Sequence, residues 1–141
     1  MSAGRSRSQA QALFERAFDA HRAGRLDEAQ RLYRESIATF PTAEAHTFLG
    51  WTFSQQGKIA EAIAECKRAI EIDPDFGNPY NDIGAYLIEL GELDDAVGWL
   101  HKAKEARRYG PRHFPFLNLG RVYLAKGWLA RALDEFTEAA R

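Results

Sequence analysis

Small residues recur along this chain at an interval longer than one helix and too regular for chance. Gly50, Gly84 and Gly120 follow one another at 34 and 36 residues, and a second glycine stands seven residues after each, at Gly57, Gly91 and Gly127. Gly24 precedes Gly57 by 33 residues. The alanines keep step: Ala29, Ala62, Ala96 and Ala132 each lie five residues beyond a turn glycine, and Ser36, Ala69, Ala103 and Ala139 lie seven further on. Between these markers apolar residues fall three or four apart, as on a helix, and not in the alternation of a strand. The pattern predicts an all-α chain of four antiparallel helix pairs: residues 9–22 with 26–39, 43–56 with 59–72, 77–90 with 93–107, and 112–126 with 129–140.

The residue types fit that reading physically. A small side chain lets two packed helices approach closely, so Gly50 is expected against Ala62, Gly84 against Ala96 and Gly120 against Ala132. Gly24, Gly57, Gly91 and Gly127 are placed to take the positive φ of a tight helix-ending turn. Thr42 after Pro41 reads as an N-cap, and Asn78-Pro79 as an N-cap followed by proline in the first helical position.

With these residues in view the chain resembles the tetratricopeptide repeat, a helix-turn-helix unit with a period of 34. Tyr80, Ile83, Gly84, Leu87, Gly91, Ala96, Leu100 and Ala103 look like one complete copy. His46, Leu49, Gly50, Phe53, Gly57, Ala62, Cys66, Ala69 and Pro74 look like another, and Phe116, Leu119, Gly120, Tyr123, Gly127, Ala132, Phe136 and Ala139 like a third. The first unit departs, with Arg16 and Ala17 where the pattern has leucine and glycine. The third lacks its closing proline and carries two extra residues within 107–115, which reads as a longer turn. The resemblance covers about residues 10–141, with repeats near 10–42, 43–76, 77–112 and 113–141 behind a flexible basic tail over 1–9. It implies a right-handed superhelical solenoid whose first helices line a concave groove that binds a protein or peptide.

Residues three before and one after each small core position are then the groove candidates: Phe14 and Phe18, Thr47 and Trp51, Asn81 and Ala85, Leu117 and Arg121, with Asn118 beside them. Family members that clamp a terminal carboxylate place lysine, asparagine and arginine at such positions. Phe14, Phe18, Asn81 and Ala85 do not match that set, so the resemblance implies an apolar, aromatic groove suited to an amphipathic helix or an extended apolar segment. Trp99 and Trp128 lie on or beside second helices and are expected to pack between repeats. An alternative is self-assembly into a homo-oligomer through the last repeat, where Trp128, Leu133 and Phe136 stand near an open face with no polar capping helix after Arg141.

Composition narrows the remaining classes. A chain of 141 residues that is 45% apolar and 28% charged, with net charge -1, reads as folded rather than disordered, and no apolar window reaches the length of a membrane span. Charge is polarised: seven cations against five carboxylates over 1–41, three against eleven over 42–95, and nine against four over 96–141. The acidic middle argues against nucleic acid, and the basic cluster of Lys102, Lys104, Arg107, Arg108, Arg112 and Arg121 reads as a solvated face. Cys66 is the one cysteine, expected as an inert core thiol, and with no signal segment it suggests a cytoplasmic protein. His21, His46, His101 and His113 are dispersed without metal-ligand spacing, and no phosphate-binding loop or paired carboxylates occur. The expectation is therefore a non-enzymatic interaction module without metal or cofactor.

Overall fold

A computed structural model describes residues 2–141. Eight helices account for most of them: α1 (Ala3–Arg22), α2 (Leu26–Thr39), α3 (Ala43–Gln55), α4 (Ile59–Ile72), α5 (Asn78–Glu89), α6 (Leu93–Glu105), α7 (His113–Ala125) and α8 (Leu129–Ala139). Consecutive helices pair as hairpins, and the chain divides into two compact units, one ending at Asp73 and the other beginning at Pro74. None of the described helices is long and apolar enough to cross a membrane.

In the first unit, α2 packs between its own partner α1 and the next first helix, α3. Ala17, Ala20, Ala29, Leu32, Tyr33 and Leu49 form the buried cluster, with Leu13, Phe14, Ile37, Phe48 and Phe53 against it. The expected tail over 1–9 is corrected: α1 begins at Ala3, capped by the Ser2 hydroxyl, which accepts from the Arg5 amide. No proline interrupts this stretch, and two contacts hold its far end. The Ser36 hydroxyl donates to the buried Ala10 carbonyl at 2.7 Å, and the Arg7 guanidinium lies 4.8 Å above the Phe40 ring. Ser36 thus uses its small size to approach α1 and its hydroxyl to bond it.

Thr42 caps α3 as expected, accepting from the Ala45 amide. Gly24, Gly57, Gly91 and Gly127 all have φ between 78° and 82°, the left-handed region where a side chain is strained. The glycine-to-alanine pairing holds only in part. A Cβ on Gly50 would meet the Ala62 carbonyl at 2.9 Å, but a Cβ on Gly84 or Gly120 would strike Leu100 or Phe136. Those residues lie one turn beyond the expected alanines. A large side chain there fills the notch the glycine leaves; the equivalent position in the α3–α4 hairpin is the smaller, fully buried Cys66, so Gly50 lies nearest the α4 backbone.

In the second unit Ala96, Leu100, Leu119, Val122, Tyr123 and Ala132 make the core. The two extra residues fold the 106–112 turn back onto the start of α5. The Arg108 amide donates to Asp75 and its carbonyl accepts from Gly77, while the Tyr109 ring lies where a Cβ on Gly77 would stand. This clasp moves the helix start: Gly77 is the N-cap, so Asn78 is the first helical residue and Pro79 the second.

Gly50→Ala is expected to lose about 1–2 kcal/mol, because overpacking against a fixed backbone carbonyl outweighs the gain of roughly 1 kcal/mol in helix propensity. Urea unfolding measures it, and a stabilised variant would show that α3 and α4 do not touch there.

Candidate protein-binding surface

The first helices of the first unit build an aromatic wall. Phe14 lies 5.6 Å from Tyr33 and 5.4 Å from Phe48 by ring centroids, and Phe18 lies 5.7 Å from Phe48. Both are half-buried, so they take part in packing between α1 and α3 as well as lining the surface. Trp51 is 44% exposed and stands edge-on to His21 at 4.8 Å. Phe18, His21, Arg22, Phe48, Trp51 and Gln55 enclose an open-mouthed pocket of about 410 Å³.

His21 is the hinge between this pocket and the core. It is buried, with Nδ1 3.1 Å from the Tyr33 hydroxyl and Nε2 against the Gln55 side-chain oxygen. With a proton on Nε2 the ring donates to the Gln55 oxygen, and Nδ1 can accept from the Tyr33 hydroxyl. Thr47 is not offered to a ligand: it is fully buried, and its hydroxyl donates to the Ala43 carbonyl on its own helix at 2.7 Å. The sequence also passed over His21, Arg22, Phe48 and Gln55. His21 and Arg22 lie one turn beyond Phe18, and Gln55 one turn beyond Trp51, so extending the same helical stripe finds these three.

The corresponding surface of the second unit is polar. The Asn118 amide nitrogen donates to the Asn81 side-chain oxygen at 2.9 Å, and the Asn118 oxygen accepts from Arg121 at 2.8 Å. Both asparagines are buried while Arg121 is exposed, so the amides aim the guanidinium outward. Ala85 is partly buried and Leu117 exposed beside them. Trp128 stacks on Tyr123 and has Lys126 and Arg131 over its ring at 4.9 and 5.3 Å, yet is 45% exposed.

Burial and neighbouring charges move three ionisable groups from their ordinary values. Burial opposes ionisation of Glu65, but the hydrogen bond and charge of His46 outweigh it, with Arg68 adding to the effect, and the carboxyl is held below its ordinary value. Burial pushes the Asp82 carboxyl up to about 7, and burial followed by the nearby Asp82 charge raises the Tyr109 hydroxyl. Among the described residues no three His, Cys, Asp or Glu side chains converge as a metal set.

Two models of the tetratricopeptide repeat match the chain, over residues 14–75 and 53–114. Together they span well over half of it. The chain belongs to the tetratricopeptide-repeat family. A repeat-containing thioredoxin of Arabidopsis thaliana, TTL4, is 27% identical over 77 residues, covering 54% of this chain and 11% of that protein. Among solved structures, pilF of Pseudomonas aeruginosa superposes with a TM-score of 0.86 at 25% identity, covering 94% of this chain and 61% of its own. The first repeat domain of Spaghetti (RPAP3), bound to the HSP90 peptide SRMEEVD, does so with a TM-score of 0.76 at 20% identity, over 85% of this chain and 94% of that one. The tetratricopeptide chain described here therefore spans about a tenth of the curated relative and three-fifths of pilF. Its fold is the all-α tetratricopeptide solenoid, a protein-interaction fold whose members are typically not enzymes.

The raised Asp82 carboxyl gives a stability signature in this tetratricopeptide protein. Between its ordinary value of 3.8 and about 7 the folded protein holds a proton that the unfolded chain releases, so stability falls as pH rises through that window and levels off above it. Asp82→Asn is expected to flatten this slope, read as urea midpoints at pH 5 and pH 8; an unchanged slope would mean the carboxyl is solvated.

Proposed function

We propose that this protein is a cytoplasmic adaptor that binds a partner segment on its first helices, with the aromatic pocket of the first unit as anchor. The observation that carries this reading is the half-exposed Trp51 standing over His21 at the wall of a pocket large enough for one apolar side chain. Aromatic residues held in place beside an apolar cleft dominate binding energy at protein interfaces. An amphipathic helix or an extended apolar segment supplies the complementary side chain, with Arg22 at the rim for a neighbouring carboxylate.

A terminal-carboxylate clamp is the reading set aside. Phe14, Phe18, Asn81 and Ala85 carry no cation, and the Asn81 oxygen is already bonded to Asn118. Arg121 is an exposed donor of the second unit, suited to an acidic side chain or a peptide carbonyl.

Panning a displayed random-peptide library against the full chain tests the proposal. Enriched peptides are expected to share an apolar residue and to lose roughly tenfold or more in affinity with Trp51→Ala, with the helical circular dichroism of the protein retained. Peptides that bind Trp51→Ala as well as wild type, or that require a free C-terminal carboxylate, would reject the pocket as anchor.

A further inference from the structure

A junction of three helices that is filled in the second unit is open in the first. Counting from the recurring glycines and alanines, Lys104, Phe116 and Glu135 occupy the places of Ile37, His46 and Glu65. In the second unit the Lys104 ammonium donates to Glu135 at 2.8 and 3.0 Å and lies 4.2 Å above the Phe116 ring. In the first, Ile37 has no charge to offer Glu65, and a recess of about 300 Å³ stands there. Arg34 and Ile37 of α2, His46 and Leu49 of α3, and Glu65 and Arg68 of α4 form its wall. It shares no residue with the pocket of Trp51.

The polar groups of this recess are held in place by the fold. His46 and Glu65 are 9% and 7% exposed. The His46 Nδ1 lies 2.9 Å from one oxygen of Glu65, and the other oxygen accepts from Arg68. These partners keep Glu65 ionised, so Nδ1 carries the proton of that contact. Nε2 has no partner among the described residues and is not sealed in the core, so when protonated it is a spare donor at the recess. Arg34 is exposed, 5.6 Å above the Phe53 ring, and no carboxylate among the described residues pairs with it, Glu61 of the adjoining recess included. Glu65 and Arg68 offset one another, and Arg34 leaves the recess positive over the apolar side chains of Ile37 and Leu49.

We propose that this recess binds a small organic acid, its carboxylate held by Arg34, Arg68 and the His46 Nε2–H and its hydrocarbon body laid on Ile37 and Leu49. A planar guanidinium matches a carboxylate with two parallel hydrogen bonds. An inorganic anion leaves the apolar floor uncovered, and a doubly charged phosphate meets the carboxylate of Glu65. The volume lies at the small end of the range for small-molecule sites.

Titration of the isotopically labelled full chain with hexanoate is the test. Saturable shifts are expected at the His46 ring nitrogens and the Arg34 side chain, with acetate and inorganic phosphate each weaker by about tenfold or more. Arg34→Gln is expected to weaken hexanoate about tenfold with the thermal midpoint retained. Ile37→Lys sets an ammonium where Lys104 stands in the second unit; although it adds a positive charge, it is expected to pair with Glu65 and abolish binding. Trp51→Ala leaves the hexanoate shifts unchanged, which separates this site from the peptide anchor. The proposal is overturned by no saturable shift at about 10 mM hexanoate, by phosphate binding as tightly as hexanoate, by full affinity in Arg34→Gln or Ile37→Lys, or by shifts centred on Trp51.

Discussion

Close approach of paired helices at positions without bulk is the constraint on which the rest of this molecule rests. Gly50 lets the α3 backbone come within contact of the Ala62 carbonyl, and Gly84 and Gly120 admit Leu100 and Phe136 into the space a side chain would fill. Because each hairpin closes this tightly, its outer residues fall at fixed depths. Some, such as Thr47, sink to the floor; others, such as Trp51 and Arg121, stand at the surface. Recognition chemistry on a repeat is a by-product of where the packing leaves side chains over.

The two units spend that surplus differently. In the first, Phe14 and Phe18 meet Phe48 edge to face, Trp51 stands edge-on to His21, and Gln55 is bonded to that imidazole. In the second, a chain of amides from Asn81 through Asn118 ends on a guanidinium. An identical backbone plan thus carries an apolar anchor in one place and a directed cation in another. This supports reading specificity from side chains rather than from the fold.

Much of the fold was legible because glycine and alanine report backbone geometry directly: a left-handed turn or a close helix contact leaves a mark in residue type at a fixed position. The contacts that sequence did not reveal are those that join distant positions. Asn81 and Asn118 lie 37 residues apart, across the turn that carries two extra residues, and nothing local marks their pairing. Thr47 was placed on the groove by helical phase alone, which gives direction but not depth. The stretch before residue 10 looked like a tail because it is polar and basic, yet a capping serine and the absence of proline are enough for α1 to run through it. The 106–112 turn read only as longer, since its clasp on Gly77 depends on Tyr109 meeting a residue more than thirty positions earlier.

The bridging position of His21 has a thermodynamic consequence. With one ring nitrogen on Tyr33 and the other on Gln55, the imidazole beside Trp51 is fixed before any partner arrives. Immobilising a mobile side chain on association typically takes about 0.5–1.5 kcal/mol from the affinity. Here much of that ordering is completed during folding, so the pocket meets its guest as a preorganised mould.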